Sequence, residues 1–266
     1  MTAPELAALC QQAMPDERLT AEELKQACFG AGDEVIGDSD GAIALRRTHY
    51  GGHSVVWILL VAVRPEIQGK GHGAALVDAA LARGRELGAR AAHLASPVPR
   101  YLWPGVDATN TAAGALFERA GFERSHIATN MTIPTSFRAA PPDGIVIEKE
   151  ETGRASEFAA RHYPHWVDEL RTAMDLGTAF AARSAFGETI GFACHSCNRN
   201  GWIGPMATHP EVQHGGVGSA MLSALCADIE PAGLDTAEVS WVSNYRFYGK
   251  CGATVSRVFQ GGHRRL

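Results

Sequence analysis

Residues Trp57 to Leu76 read WILLVAVRPEIQGKGHGAAL, and 145 positions later residues Trp202 to Met221 read WIGPMATHPEVQHGGVGSAM. The two stretches align without a gap. Nine of twenty positions are identical: Trp57/Trp202, Ile58/Ile203, Ala62/Ala207, Pro65/Pro210, Glu66/Glu211, Gln68/Gln213, Gly71/Gly216, Gly73/Gly218 and Ala75/Ala220. A repeat of this period marks a duplicated domain rather than a solenoid, whose units run to roughly 20–50 residues. Each copy predicts a strand, a glycine-rich turn and the start of a helix. Successive main-chain amides at such a turn point into one concavity, and the helix dipole adds roughly half a positive charge there. The geometry suits an anion.

Composition narrows the class. The chain has 266 residues, 45% of them hydrophobic and 20% charged, as expected for a globular protein with a core in each half. Its net charge of −5 disfavours non-specific nucleic-acid binding, which needs a basic surface. No apolar run approaches the roughly 20 residues of a membrane helix. The N-terminal stretch MTAPELAALCQQAMPDERLT lacks the basic start of a secretory signal, so the expected location is the cytoplasm. Six cysteines in a chain of this length do not read as a disulfide framework. Cys194 and Cys197 form one C-x-x-C, but a zinc site wants about four ligands and no second pair is evident, so strand packing is the better reading and no metal is expected.

Working outward from the repeat, residues 2–30 predict one or two helices, with Thr20 capping the second. Glu34–Arg47 and Ser54–Val63 are strand-like. A helix follows over Gly73–Leu87, then a strand over Ala91–Ser96, a helix over Asn110–Ala120 and a strand over Phe122–Ile133. Residues 136–144, SFRAAPPDG, carry two prolines and a glycine and predict a break. The pattern then restarts: strand Ile145–Lys149, helices within 153–176, strands Ala179–Arg183, Thr189–Cys197 and Gly201–Thr208, helix Gly218–Ala227, strand Ala237–Val242, helix Tyr245–Lys250 and strand Ala253–Phe259. The expected organisation is two mixed α/β domains, 1–137 and 145–266, joined by a linker over 138–144.

The turns are Gln68-Gly69-Lys70-Gly71-His72-Gly73 and Gln213-His214-Gly215-Gly216-Val217-Gly218. Neither fits the dinucleotide fingerprint G-x-G-x-x-G of a βαβ unit, because both follow antiparallel strands. Neither is a Walker A loop, since no G-K-[ST] occurs. A hydrophobic strand followed by P-E-x-Q-x-x-G-x-G resembles motif A of the GCN5-related N-acetyltransferases (GNAT). Two further segments are similar to that family's last motif: Asn110 with Phe117-Glu118-Arg119-Ala120-Gly121-Phe122, and Asn244 with Phe247-Tyr248-Gly249-Lys250-Cys251-Gly252. The resemblance covers nearly the whole chain as a tandem pair.

The resemblance implies, in each half, a mostly antiparallel sheet flanked by helices, with a central parallel strand pair that splays apart to admit acetyl-CoA. The splaying pairs would be 57–63 with 91–96 and 202–208 with 237–242. Pantetheine would pair with main chain at Val61 and Val63, or at Met206 and Thr208. Pyrophosphate would sit on Gln68, Gly69, Lys70, Gly71, His72, Gly73 and Ala74, or on Gln213, His214, Gly215, Gly216, Val217, Gly218 and Ser219, with Asn110 and Asn244 nearby. An amine would attack the thioester directly, a strand amide would polarise the carbonyl, and a tyrosine would protonate the departing thiolate. The expected partner is a small-molecule amine, with no nucleic acid or membrane, in a monomer or homodimer.

The copies differ where chemistry would occur. Tyr248 stands at the tyrosine position of the second half, and Phe117 stands there in the first. In the first half a nearby group such as Tyr101 would have to substitute, or that half binds CoA without chemistry. Conversely, only the first half carries the stiff insertion 97–107, in which Arg100, Tyr101, Trp103 and Asp107 would either meet the acceptor or pack as anchors. Histidines 195, 209 and 214 and the carboxylates Asp107 and Glu118 are candidate general bases, with a water chain equally able to serve. The alternative to a working enzyme is a CoA-binding scaffold in which one or both halves are silent, or an acyltransferase using another donor.

Overall fold

The computed structural model describes every residue except Ser96, which was expected to end a strand and so lies outside the described residues. In chain order the elements begin with helices α1 (Ala3–Ala13) and α2 (Ala21–Cys28) and strands β1 (Asp33–Gly37), β2 (Gly41–Tyr50) and β3 (His53–Val63). Next come helix α3 (His72–Glu86), strands β4 (Ala91–Leu94) and β5 (Val106–Asp107), helix α4 (Thr111–Arg119) and strand β6 (Glu123–Pro134). The second series is β7 (Val146–Lys149), α5 (Arg154–His162), α6 (Val167–Asp175), β8 (Ala179–Arg183), β9 (Thr189–His195), β10 (Trp202–Thr208), α7 (Val217–Ile229), β11 (Thr236–Val239), α8 (Tyr245–Lys250) and β12 (Thr254–Arg265).

Local chemistry explains the element ends. Thr2 and Thr20 each form a capping box, closed by Glu5 and Glu23. The predicted single strand Glu34–Arg47 is instead a hairpin of β1 and β2, because Gly37 adopts φ +120° and Asp38–Asp40 turn the chain. In β2, Ala42 and Ala44 face one core while Ile43 and Leu45 face another, the two-residue alternation of a strand buried on both sides. Ala179 and Ala181 alternate with Phe180 and Ala182 along β8 in the same way.

Two compact units result, one comprising Met1–Ala128 with Val258–Leu266 and the other Thr129–Arg257. They are not the halves of the repeat, because the chain changes unit within β6 and again within β12. In the first unit the sheet order is β1-β2-β3-β4, and β4 is then covered by the last residues of the chain, antiparallel, from Leu94↔Gly262 to Ala91↔Arg265. In the second unit the order is β7-β8-β9-β10-β11, and the end of β6 lies antiparallel on β11, from Val239↔Met131 to Thr236↔Pro134. Each parallel pair is thus flanked by a strand from the other half of the sequence. The last strand runs to Arg265 where the sequence predicts an end at Phe259. Gly261 and Gly262 of this extension are close-approach positions. A Cβ at Gly261 would collide with the His126 ring, and one at Gly262 with Leu94 and the Glu123 carbonyl.

Helices cover both faces of each sheet. Leu6, Leu9 and Leu24 of α1 and α2 pack on Ala42, Ala44 and Leu59. Val77, Ala80 and Leu81 of α3 pack with Ile43, Val56, Ile58 and Phe117 on the opposite face. In the second unit Phe158 and Leu170 cover Phe192 and Cys194, and Met221, Leu222 and Leu225 of α7 cover Ile203 and Val239.

Candidate active site

The two parallel pairs part at corresponding places. The β3–β4 pairing runs from Val55↔Ala91 to Ile58↔Leu94, and β3 then continues to Val63. The β10–β11 pairing covers Trp202↔Glu238 and Ile203↔Val239, and β10 continues to Thr208. On their other edges β3 and β10 each take in one extra residue at the same point. The β2–β3 register slips between Leu60 and Ile58, and the β9–β10 register between Met206 and Ile203. A bulge adds twist and re-aims the strand beyond it.

Main-chain direction follows from the strand ends. The amide of Arg64 donates to Asp40 O (2.9 Å) and that of His209 to Ile190 O (2.7 Å), both toward the antiparallel neighbour. Alternation therefore turns the N–H and C=O groups of Val61 and Val63, and of Met206 and Thr208, toward the opening. These are the four residues expected to meet pantetheine. Two of their carbonyls already have partners: Gln68 Nε2 donates to Val63 O (2.9 Å), and Tyr163 Oη donates to Thr208 O (2.6 Å).

The glycine-rich turns also match. Pro65–Ile67 and Pro210–Val212 form short 3-10 turns, and Gly71 (φ +92°) and Gly216 (φ +90°) are the N-caps of α3 and α7. Gly69 takes φ +74°, and its counterpart His214 takes φ +67°, a left-handed conformation that costs a non-glycine residue about 1–2 kcal/mol. The first bond of each helix is Ala75 N–H to Gly71 O and Ala220 N–H to Gly216 O, so the amides of residues 72–74 and 217–219 have no partner within their helix. No heavy atom would lie within 4 Å of a Cβ at Gly69 or Gly71, whereas one at Gly216 would meet Pro142 Cγ at 3.4 Å. Open amides at a helix start and an unpaired strand edge are the features a CoA pyrophosphate and pantetheine require.

Several expected residues have structural partners. Asn110 and Asn244 cap α4 and α8, each Oδ1 accepting an amide at 3.0 Å, from Ala113 and Phe247. Lys70 Nζ donates to the carbonyl of Glu66 (2.8 Å). The 97–107 insertion is anchored inside its own unit. Arg100 pairs with the buried Asp33 (3.2 Å) and donates to Gln26 O, while Trp103 Nε1 donates to Glu17 (3.0 Å). Tyr101 is buried, and Asp107 accepts from the amide and hydroxyl of Thr109. Among the base candidates, His195 is buried between Ser196 Oγ (3.0 Å) and Asp228 Oδ2 (2.9 Å). Asp228 lies near the C-terminal end of α7, so His195 sits about 15–20 Å along that helix from the phosphate turn. His209 Nδ1 accepts the Glu211 amide, and Glu118 and His214 are exposed.

Tyr248 packs edge-on against Phe247 (4.9 Å), and no hydrogen-bond partner takes up its hydroxyl among the described residues. Burial raises its pKa well above the usual phenol range, so it carries its proton at any working pH. Phe247 faces Gly218 as Leu116 faces Gly73, which sets Tyr248 in register with Phe117. Phe117 is buried edge-on against Phe122.

Three further residues lie near this strand, of which the sequence pointed only to Cys197, as a packing residue. Glu169 of α6 is 3% exposed, its Oε1 accepts Asn198 Nδ2 (2.9 Å), and burial pushes its carboxyl up to about 7. Its spacing with Trp166, Leu170 and Ala173 places it on the apolar face of the helix, a signal available in the sequence. Next to Asn198, Cys197 Sγ donates to the carbonyl of Gly204 at the bulge (2.9 Å). All six cysteines are buried, and no cluster of three metal-ligating side chains occurs among the described residues.

Comparison with known proteins agrees with this geometry. The profile of the acetyltransferase (GNAT) domain matches residues 25–124 and 175–252, so the chain belongs to the GNAT acetyltransferases, as a tandem member. It is an acyltransferase of that family, whose members use acetyl-CoA as co-substrate. No curated protein matches the sequence. Among solved structures, the glucosamine N-acetyltransferase region of a fungal multi-domain GH3 β-N-acetylglucosaminidase is 21% identical with a TM-score of 0.75; the match covers 98% of this chain and 37% of that one. The tandem GNAT protein of the clavulanic acid biosynthesis pathway is 14% identical with a TM-score of 0.71, covering 100% and 97% of the two chains. A GCN5-related N-acetyltransferase from Sphaerobacter thermophilus is 18% identical with a TM-score of 0.64, covering 99% and 92%. No helix is long and apolar enough to cross a membrane among the described residues.

Proposed function

We propose that the chain transfers an acetyl group from acetyl-CoA to a small-molecule amine at the splayed strands of the second unit. The observation that carries this reading is Tyr248, a protonated hydroxyl without a hydrogen-bond partner among the described residues, at the position where the first unit has Phe117. Amine attack on the thioester expels a thiolate, which needs a proton; Tyr248 supplies it and Phe117 has none to give. The Met206 amide, turned toward the opening, polarises the thioester carbonyl. The amides of 214–219 bind pyrophosphate, and Thr208 O retains a lone pair for a pantetheine amide beside its bond from Tyr163.

In the first unit the turn 68–74 and the edge at Val61 and Val63 bind acetyl-CoA without this proton donor. The insertion around Arg100 and Trp103 serves there as an anchor for helices α1 and α2. Free CoA release with a panel of amines, glucosamine among them because the fungal region is described as acting on it, tests the reading. Turnover with at least one amine is expected. Tight acetyl-CoA binding by calorimetry without turnover of any amine would support a scaffold instead.

A further inference from the structure

The bulge in β10 is held differently from its counterpart in β3. At the position of Leu60 the second unit has Pro205, which has no amide hydrogen to give to β9. The residue before it, Gly204, is half-buried and takes φ +138°, so neither a side chain nor a preferred backbone well fixes it. Two residues further on lies the Met206 amide that faces the opening. A contact from outside the ladder takes over: Cys197 Sγ donates to Gly204 O across 2.9 Å. Behind it, Asn198 Nδ2 lies 3.9 Å from the same sulfur and donates to Glu169 Oε1 at 2.9 Å. Cys197, Asn198 and Glu169 are 3%, 4% and 3% exposed, so solvent does not compete. Burial keeps the thiol protonated and able to donate.

We infer that Cys197 is a positioning residue for acyl transfer, its hydrogen bond to Gly204 O setting the bulge from which the Met206 amide meets the thioester carbonyl. Asn198 and Glu169 hold the thiol in place. The inference rests on the proposal that chemistry occurs in the second unit. It assigns the C-x-x-C segment a role that is neither metal binding nor redox.

The test is steady-state acetyl-CoA turnover by the full chain carrying Cys197→Ala or Cys197→Ser, with melting temperatures measured in parallel. Cys197→Val stands in should the alanine variant misfold, since it leaves no cavity and removes the donor. Cys197→Ala is expected to lower kcat by about tenfold or more, part of the roughly 10²–10³ lost when an oxyanion donor is deleted outright, with acetyl-CoA KM nearly unchanged. Cys197→Ser, which keeps a donor, is expected to recover most of the loss. An alanine or valine variant that folds and keeps wild-type kcat overturns the inference, as does a serine variant no better than alanine. If the unmodified protein turns over no amine, the proposed function fails and takes this role with it. Activity in the unmodified protein with no effect of Cys197→Ala defeats this inference alone.

Discussion

The hydroxyl of Tyr163 donates to the carbonyl of Thr208 across 2.6 Å, at the edge of β10 that faces the opening. In the first unit the corresponding carbonyl, that of Val63, is held by the side chain of Gln68 at 2.9 Å. The two copies thus secure the same point by different means. In the second, the bond ties an aromatic helical layer of Phe158, Tyr163 and Trp166 to the cleft, where the first unit presents the leucines of α1 and α2.

Replacing Tyr163 with Phe removes one hydrogen bond while keeping the ring packing. The expected cost is about 1 kcal/mol of stability, with acetyl-CoA KM changed less than about threefold because one lone pair of Thr208 O was free throughout. Urea unfolding and initial-rate kinetics measure the two quantities. A tenfold shift in KM would show that the tyrosine and pantetheine exclude each other or bind together.

Tyr248→Phe keeps the ring that packs on Phe247 and removes the proton donor. We expect kcat to fall by about 10²-fold, within the usual range for general acid catalysis, and acetyl-CoA KM to stay within about twofold. An unchanged kcat would remove Tyr248 from the mechanism.

Glu150 accepts from Thr152, the amides of Gly153 and Ala155, and Arg183 Nη2 at 2.6 Å, and both charges are buried. Burial opposes ionisation, but these bonds hold its carboxyl below the usual range. Glu150→Ala removes the buried partner of Arg183 Nη2, leaves Arg183 its pair with the more exposed Glu148 (3.0 Å), and strands the amides of Gly153 and Ala155. A loss of about 1.5–3 kcal/mol is expected in chemical unfolding, the scale of hydrogen bonds to a charged group. A loss below about 1 kcal/mol, the scale of a surface pair, would contradict this account.

Glu169 shifts stability with pH in the opposite sense. Burial raises its folded pKa to about 7 from 4.5, so the folded state binds the proton more tightly than the unfolded chain. This contribution to stability is full below about pH 4.5, declines as pH rises, and is gone above pH 7, in all about 3 kcal/mol. Glu169→Gln keeps the bond from Asn198 and cannot ionise. It is expected to melt higher than the unmodified protein at pH 8 and alike at pH 4.5. Equal melting temperatures at both pH values would show that the carboxylate is not desolvated.

The repeat made the strand–turn–helix of both sites legible. Glycine at 71 and 216, proline at 65 and 210, and glutamine at 68 and 213 each stand where the local geometry demands them. What stayed hidden depends on contacts distant in sequence. The passage of β6 and β12 from one unit to the other leaves no local trace, and nothing near Gly261-Gly262 in sequence shows that His126 and Leu94 press against them. Arg100 and Trp103 looked available for substrate because their partners, Asp33 and Glu17, lie more than 60 positions upstream. His195 stands on the strand beside β10, but its Asp228 partner places it at the far end of α7. Glu169 alone carried a usable signal, a charge on the apolar face of α6.

The central claim, chemistry in the second unit, is tested most directly by placing a carboxylate in one phosphate turn at a time. Lys70 and Gly215 occupy equivalent positions and neither has a positive φ, so Lys70→Glu and Gly215→Glu add charge without the strain expected at Gly71 or Gly216. Release of free CoA with a productive amine is then compared at subsaturating acetyl-CoA. Gly215→Glu should lower kcat/KM at least about tenfold, the scale of one lost charge-assisted bond or more, while Lys70→Glu leaves it near the unmodified value. The reverse pattern, with Lys70→Glu inactive and Gly215→Glu active, would place the chemistry in the first unit and contradict the account.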